Sequence, residues 1–312
     1  MSIYINKIEY EIINKLGEGG SGKIYQVLNK LDKKVYAIKE FSIQNEDKET
    51  INAIKNEAFI LSSFNSKNIV KYYGSQQNKE KFYIVMEYCN GLNLKHFIEE
   101  HRQNNTYIEE NILYRIIKQI CSGIKEIHDK NIIHRDLKPE NIFMNKEQEI
   151  KLGDFGISHQ LKIYQDLTLT NKKAGTYDYI APEILYEGLY NKKADMWSLG
   201  CIIYELFTLN IYTKNKFLDE IKKVDTDVYN PKWQQLIDSL LQTDYNKRFD
   251  INQVNKFILF NENKIIFSFG INENERKIYM KKILDNILKK ILKNILKNIK
   301  YMNFLKDFLK NY

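Results

Sequence analysis

The stretch GEGGSGKIY, residues 17–25, has four glycines in its first six positions, although the whole chain of 312 residues has only 13. Glycine loses more conformational freedom on folding than other residues, so such a cluster needs a physical reason. One reason is a loop whose backbone N–H groups must come close to a phosphate. Another is an ordinary turn, and the rest of the chain has to decide between the two.

Four further short motifs place charged residues or prolines at fixed positions. They are, in chain order, YAIK ending at Lys39, HRDLKPEN over residues 134–141, DFG over residues 154–156 and APE over residues 181–183. The chain has only three prolines, and two of them, Pro139 and Pro182, fall inside these motifs. Because proline fixes a backbone angle, we interpret both as positions kept for backbone geometry.

The first part of the chain, residues 9–90, predicts strands with one helix. Two β-rich runs flank the glycine cluster, LDKKVYAIKEF predicts a third strand carrying Lys39, and NIVKYYGSQQNKEKFYIVMEY predicts two more around a polar turn. The intervening helix is indicated by apolar residues at a helical period, namely Ile51, Ile54, Ala58 and Leu61.

The later part is predicted to be mostly helical, over residues 94–129 and 192–258. Loops and short strands carrying HRDLKPEN and DFG lie between these two segments. A small β-rich lobe followed by a larger helical lobe leaves a cleft, which is where ligands commonly bind.

Composition limits the class of protein. Hydrophobic residues make up 43% and charged residues 28%, a soluble globular balance. The three cysteines, Cys89, Cys121 and Cys201, are odd in number and far apart, so they indicate buried thiols rather than disulfides or a metal site. We see no signal peptide and no apolar run of about 18 residues, and therefore expect a cytoplasmic protein.

Positive charge is concentrated at the end of the chain. The net charge is +8, and residues 271–312 contain eleven Lys or Arg against four Asp or Glu, a net charge of +7. The main body is therefore close to neutral, and charge does not predict that it binds nucleic acid.

In their order and context, the five motifs resemble those of eukaryotic protein kinases. Gly17, Gly19 and Gly22 fit G-x-G-x-x-G, and Ile24 takes the usual valine place. The resemblance covers residues 10–258 and implies an α+β, two-lobed kinase fold with a small β-rich N-lobe and a larger helical C-lobe. We assign residues 259–312 to a separate tail.

The resemblance implies ATP and Mg²⁺ as cofactors. Backbone N–H groups of the glycine loop would cover the phosphates, and Lys39 would hold the α- and β-phosphates. Lys39 needs a carboxylate to orient it; Glu57 is the best candidate and Glu49 the fallback, whereas a solvated helix charge is the alternative for Glu57. The further residues predicted to contact the nucleotide are Leu16, Ile24, Ala37, Met86, Glu87, Cys89, Asn93 and Phe143, of which Met86 and Phe143 also fit ordinary core packing.

The same resemblance assigns the catalytic roles. Asp136 would accept or orient the proton of the attacking hydroxyl, and Lys138 would steady the transferred phosphoryl group. Asn141 and Asp154 would hold Mg²⁺. The alternative is a catalytically inactive kinase fold that acts as a scaffold through its tail; intact Lys39, Asp136 and Asp154 favour the enzyme.

Lys138 and the stretch GTYDYIAPE resemble the serine/threonine branch, which implies protein substrates with Ser or Thr hydroxyls, and Thr176 would help to shape that site. Glu140 either favours basic residues near the target or makes a structural contact. The resemblance also makes Asp195 a brace of the catalytic loop and pairs Arg248 with Glu183.

The segment from Asp154 to Glu183 is where such kinases are often switched on. We hypothesise that a phosphate on Thr168 or Thr170, less so on Ser158, pairs with Arg135. The alternative is a loop that merely contains threonines.

The tail predicts a basic amphipathic helix over residues 276–310. Apolar residues step by four rather than keeping a heptad, so a left-handed coiled coil fits poorly. Such a helix can bind an anionic membrane surface, a calmodulin-like partner or another copy, or pack on its own helical lobe. Aromatic residues are sparse, so specific nucleic-acid binding is not expected. The stepping residues are Ile283, Ile287, Ile291, Ile295 and Ile299, with Leu284, Leu288, Leu292 and Leu296 beside them.

Overall fold

The computed structural model describes residues 1–19, 22–145, 148–156, 159–160, 168–169, 177–212 and 223–267, with side chains left undescribed at residues 157–177 and 262–267. The chain divides into two compact units, Met1–Asn261 and Glu262–Tyr312. Within the described ranges, no helix has the length and apolar character needed to cross a bilayer.

The N-lobe is built on one antiparallel sheet of six strands, arranged in the order β1-β2-β3-β4-β6-β5. The strands are β1 Ser2–Ile5, β2 Ile8–Gly19, β3 Gly22–Asn29, β4 Val35–Ser42, β5 Tyr72–Gln77 and β6 Lys81–Glu87. The five strands predicted over residues 9–90 are all present. Strand β1 was not predicted, and it places the start of the sheet ahead of residue 10.

The sheet curls so that its first hairpin touches its last strand. Asn6 and Lys7 both have positive φ, 51° and 66°, which forms the tight two-residue turn between β1 and β2. The backbone N–H of Asn6 donates to the side chain of Gln76 on β5. The strands of this sheet share a buried apolar cluster made of Ile3, Ile5, Tyr10, Val27, Ile38, Tyr83 and Val85.

The predicted helix α1 is present at Lys48–Ser62. Asp47 caps its first turn by accepting a hydrogen bond from the N–H of Thr50 at 2.7 Å. Ala58, Ile60 and Leu61 are buried, and Glu57 lies on the same buried face of the helix. The apolar period that forms α1 therefore also turns a carboxylate towards the sheet.

The C-lobe is mainly helical. Its helices are α2 Leu94–Gln103, α3 Glu110–Asp129, α4 Pro182–Glu187, α5 Lys192–Thr208, α6 Lys232–Leu240 and α7 Ile251–Phe267. Helix α5 is central, since every residue from Ala194 to Thr208 is buried. The helical predictions are confirmed, with a break between α2 and α3.

Short paired strands carry the motif loops of the C-lobe. They are β7 Ile132–Ile133, β8 Ile142–Met144, β9 Ile150–Leu152, β10 His159–Gln160, β11 Thr168–Leu169 and β12 Leu189–Tyr190. Strand β8 pairs with β9, β10 with β7, and β11 with β12. The small β-rich lobe and larger helical lobe confirm the predicted fold class.

Helix α7 continues to Phe267, so the predicted domain boundary at residue 258 falls within this helix. The tail helix predicted over residues 276–310 lies outside the described residues.

Candidate active site

The glycine cluster forms the tip of the hairpin between β2 and β3. Gly17 lies opposite Ile24, and Gly19 opposite Gly22, while positions 20 and 21 fall outside the description. Gly22 has φ +105°, and a Cβ there would lie 2.5 Å from the carbonyl oxygen of Glu40. Both the backbone angle and the close approach require glycine at this position.

A cavity of about 750 Å³ lies beneath this hairpin. The predicted site residues that line it are Gly19, Gly22, Glu57, Asp136, Lys138 and Asp154. The cavity thus lies between the hairpin tip, α1, the HRDLKPEN motif and the DFG motif. The size suits the phosphate end of a nucleotide with its metal ion.

Lys39 holds two carboxylates at the back of the site. Its Nζ lies 2.8 Å from Oε1 of Glu57 and 2.9 Å from Oδ1 of Asp154. Strand β4 supplies Lys39, α1 supplies Glu57, and the DFG motif supplies Asp154. The pairing of Lys39 with Glu57 is therefore the one expected, and the fallback Glu49 is exposed in the first turn of α1.

Electrostatics favour the charged forms of Lys39 and Asp154, whereas burial raises the pKa of Glu57 above its usual value. Burial alone would lower the pKa of Lys39, but the carboxylates of Glu57 and Asp154 hold it above its usual value. Burial would likewise raise the pKa of Asp154, but the ammonium of Lys39 holds it below its usual value. An ionised Asp154 beside a cationic Lys39 is the arrangement that a metal–phosphate site needs.

Asp136 lies at the centre of the catalytic loop. Its Oδ2 lies 2.8 Å from Nζ of Lys138 and accepts a hydrogen bond from Nδ2 of Asn141 at 2.9 Å. Nδ2 of Asn141 also donates to the backbone carbonyl of Asp136 at 2.8 Å. Because the amide nitrogen of Asn141 is used in this way, its oxygen is the atom available as a metal ligand.

Asp154 is brought next to this loop by the backbone. The N–H of Gly153 donates to the carbonyl of Asn141 at 3.0 Å, and Asp154 itself has φ +58°. Phe155 is 1% exposed, with its ring centroid 5.6 Å from that of Phe64 and 4.9 Å from that of His134. Packing of Phe155 in the interior leaves Asp154 facing Lys39.

The brace predicted at Asp195 is confirmed. Its buried carboxylate accepts the backbone N–H groups of His134 and Arg135 at 2.9 Å and 3.0 Å. His128 on α3 adds a side-chain contact to Asp195 at 2.8 Å. Burial would raise the pKa of Asp195, but the contact with His128 and the N–H of His134 keep it below its usual value. The contribution of His128 was not predicted from the sequence.

The predicted pair of Glu183 and Arg248 is also confirmed. The guanidinium of Arg248 donates to both carboxylate oxygens, at 2.6 Å and 2.9 Å, and both side chains are buried. Its planar group lies 5.1 Å from the ring centroid of Trp197 on α5. This forked ion pair fastens the APE motif to the core of the C-lobe.

The residues predicted around adenine do not line the 750 Å³ cavity, and three of them, Met86, Glu87 and Cys89, lie at the hinge, where the chain leaves β6. Ala37 and Met86 are directly opposite each other on β4 and β6, and the chain leaves β6 at Glu87. A second cavity of about 70 Å³ is lined by Cys89 and Phe143, among others. Burial raises the pKa of the Cys89 thiol to about 12. Leu16, 47% exposed, and Ile24 lie on the facing strands β2 and β3.

Asn93 was predicted near the ribose, and the structure gives its side-chain oxygen another partner. Asn93 is the N-cap of α2, and its Oδ1 accepts the backbone N–H of His96 at 3.1 Å. The same oxygen lies 2.6 Å from Nδ1 of His96. An asparagine directly before an amphipathic run is a helix-start signal, so the sequence contained this information.

The activation segment is described only in part. Thr168 belongs to β11, where its backbone lies opposite Tyr190. Its side chain, together with Thr170, Ser158 and Thr176, falls outside the described atoms. Arg135 has φ +71°, and its guanidinium lies 4.3 Å from the ring centroid of Tyr190.

Comparison with known proteins identifies relatives of this chain. A family model for the protein kinase domain matches residues 10–260. The chain is 32% identical over 284 residues to a probable serine/threonine-protein kinase nek2 of Dictyostelium discoideum, an alignment covering 87% of this chain and 66% of that protein. It is 35% identical over 257 residues to human serine/threonine-protein kinase Nek5, covering 80% and 36% of the two chains. Human Nek2 is 33% identical over 208 residues, covering 64% and 46%. The chain thus spans no more than two thirds of the length of each of these three relatives.

Proposed function

This chain belongs to the protein kinase family, and from that premise we propose that it transfers the γ-phosphate of MgATP to serine or threonine hydroxyls of proteins. One observation carries the proposal: Lys39 contacts both Glu57 and Asp154, and these two carboxylates line a cavity whose wall also contains Asp136. The relatives named above, all serine/threonine kinases, support the same reaction.

Each side chain then has a definite task. Lys39, oriented by Glu57, binds phosphate oxygens of ATP. Asp154 and the carboxamide oxygen of Asn141 would hold Mg²⁺, which would supply positive charge against the phosphates. These contacts fix the γ-phosphate in front of the catalytic loop.

Transfer forms a bond between the substrate hydroxyl oxygen and the γ-phosphorus, and breaks the bond from that phosphorus to the β-phosphate oxygen, which leaves with ADP. Asp136 accepts the hydroxyl proton. Lys138, 2.8 Å from Asp136, is placed to contact the transferred phosphoryl group at the same time. This lysine also supports an alcohol rather than a phenol as acceptor, through the resemblance to the serine/threonine branch.

Phosphoamino-acid analysis tests this function. The full chain is incubated with MgATP labelled at the γ position and a protein substrate containing serine, threonine and tyrosine. We expect label on serine or threonine, and loss of transfer in Asp154→Asn. Asp129→Asn, which changes an exposed carboxylate paired with Lys125, is the matched control and keeps the activity. Label on tyrosine alone contradicts the substrate class, and equal labelling by Asp154→Asn contradicts the mechanism.

We propose further that a phosphate on Thr168 or Thr170 binds Arg135. Among the described residues, Nε and Nη2 of Arg135 are buried and have no hydrogen-bond partner. Burial lowers the pKa of this guanidinium, so a nearby anion would stabilise its charge. The cross-strand neighbour of Thr168 is Tyr190, whose ring lies against Arg135, and this favours Thr168. Mass spectrometry of active protein without phosphate at either threonine rules the proposal out.

The basic tail is proposed to bind a partner. Its +7 charge and four-residue apolar steps support three candidates: an anionic membrane surface, a calmodulin-like protein or a second copy of the chain. Sedimentation with anionic liposomes distinguishes the membrane from the other candidates, since absence of binding excludes the membrane surface as the partner. We also propose a cytoplasmic location, supported by three free thiols of which Cys121 and Cys201 are buried.

A further inference from the structure

A charged cluster lies beside the catalytic loop and is not used in the mechanism above. We call it the α2 charge cluster, because two of its members lie on that helix. Its members are Lys95 and Arg102 on α2, Glu140 in the 3₁₀ turn Pro139–Asn141, Glu205 on α5, and Tyr179 in the 3₁₀ turn Tyr177–Tyr179.

The cluster consists of two ion pairs that are internal to the chain. Nζ of Lys95 lies 2.8 Å from Oε1 of Glu140. Nη2 of Arg102 lies 3.0 Å from Oε1 of Glu205, whose other oxygen accepts the hydroxyl of Tyr179 at 2.6 Å. Both carboxylates of the cluster are therefore already paired with a cation from α2.

The position of Glu140 places the cluster along the path of the acceptor protein. Glu140 directly precedes Asn141, which donates a hydrogen bond to Asp136. Tyr179 lies two positions before Ala181, the first residue of the APE motif. A hydroxyl that reaches Asp136 must bring its neighbouring residues past this region. The side chains of Lys95 and Glu140 are 46% and 32% exposed, so a peptide can contact them.

Pairing with Lys95 satisfies only half of the Glu140 carboxylate. Lys95 contacts Oε1, while Oε2 is buried and has no hydrogen-bond partner among the described residues. A lysine ammonium is a single point of charge, whereas the forked guanidinium of an arginine binds both oxygens of a carboxylate. A peptide arginine would therefore suit Glu140 better than Lys95 does, once Lys95 is removed and the Glu140 side chain turns to bring Oε2 to the surface.

We infer that Lys95 is a specificity-determining residue: it occupies Glu140 and so removes a preference for arginine near the acceptor serine or threonine. A peptide arginine gains a contact with Glu140 only by displacing Lys95, and it then meets the displaced ammonium. Exposed ion pairs differ little in free energy, so this exchange gives almost no net discrimination. The inference rests on the proposed kinase function.

One series of peptides tests the inference on the whole chain of 312 residues. One serine peptide carries alanine at every neighbouring position, and its variants carry one arginine, placed in turn at each position before the serine. The measured quantity is kcat/KM for each arginine peptide divided by kcat/KM for the alanine peptide. We expect this ratio to stay within about twofold of one for the natural chain. In Lys95→Ala we expect the ratio to rise about tenfold at one position, which corresponds to the free energy of one charge-assisted hydrogen bond.

Three further variants isolate the cause. Lys95→Met keeps the apolar stem and should raise the ratio as Lys95→Ala does, which guards against a packing effect. Lys125→Ala removes another exposed lysine paired with a carboxylate, and its ratio should match that of the natural chain. In Lys95→Ala combined with Glu140→Gln, the ratio should return to near one.

The outcomes are distinct. A natural chain that already prefers one arginine peptide tenfold, or lysine variants whose ratios do not change, would overturn the inference while leaving the kinase function intact. Absence of transfer to the alanine peptide by the natural chain would overturn the kinase function, and the inference with it.

Discussion

Gly91 lies in the connection between the hinge and α2, and replacing it with alanine should lower the free energy of unfolding. A Cβ at position 91 would lie 1.7 Å from the carbonyl oxygen of Met144 and 2.8 Å from Cα of Asn145. Both obstacles are backbone atoms, so no side-chain rotation can relieve the clash. Since real Cβ atoms stay at least 3.0 Å from other atoms, the two segments must separate by more than an ångström.

That separation would break specific contacts. The N–H of Met144 donates to the carbonyl of Leu92 at 2.9 Å, and Asn93 bridges to Phe143. Loss of one hydrogen bond together with displaced packing gives about 2–3 kcal/mol of destabilisation. For a domain of this size, that is a fall in Tm of about 5–10 °C. Because Phe143 is predicted to lie under the adenine, ATP affinity should fall too.

Thermal unfolding with and without MgATP measures both effects. Gly74→Ala on β5 is the matched control, since a Cβ there has no atom within 4 Å and its backbone does not have the positive φ that favours glycine. Its Tm should equal or exceed that of the natural chain. Equal Tm values for Gly91→Ala and Gly74→Ala would refute the reasoning, because they would mean that the approach to Met144 does not restrict position 91.

Three other predictions follow from the site. Glu57→Gln should lower kcat about a hundredfold or more and change the KM for ATP less, because Lys39 loses the charge that orients it. The control Glu49→Gln, on the same helix, should change neither kcat nor KM. Steady-state kinetics measures both variants. Arg248→Met should lower the free energy of unfolding by about 3–5 kcal/mol, since it leaves the buried Glu183 carboxylate unpaired. Unfolding by denaturant measures this loss, and a value under about 1 kcal/mol would contradict the prediction. Iodoacetamide at pH 8 should alkylate Cys89 about a thousandfold more slowly in the folded chain than after unfolding. The reason is that the pKa of the Cys89 thiol is about 12 in the folded chain, against an ordinary 9.0, so little thiolate is present. Mass spectrometry locates the label, and rapid labelling of Cys89 in the folded chain would contradict the raised pKa.

The core of the site was accessible from sequence because each motif is local. The glycine hairpin, Lys39 on its strand and the catalytic loop each depend on a few consecutive residues. The choice of Glu57 over Glu49 came from the resemblance, and the structure agrees with it, since Glu57 shares the buried face of α1 with Ala58 and Leu61. The contact between Lys39 and Glu57 joins residues 18 positions apart.

The features that were not predicted depend on contacts between distant segments. Strand β1 is short, and the curl of the sheet that buries Ile3 and Ile5 is not visible in four residues. The need for glycine at position 91 arises from β8, more than 50 residues later. The pairing of Lys95 with Glu140 spans 45 residues and is exposed, so neither periodicity nor burial marks it.

The most direct test of the central claim separates ATP binding from phosphate transfer. Single-turnover transfer to a serine peptide and MgATP affinity are measured for the natural chain and for Asp136→Asn. If Asp136 accepts the hydroxyl proton, the variant should bind MgATP within about twofold of the natural chain but transfer phosphate at least about a hundredfold more slowly. Equal transfer rates would contradict the role of Asp136, and a natural chain that transfers no faster than Asp154→Asn would contradict the kinase function itself.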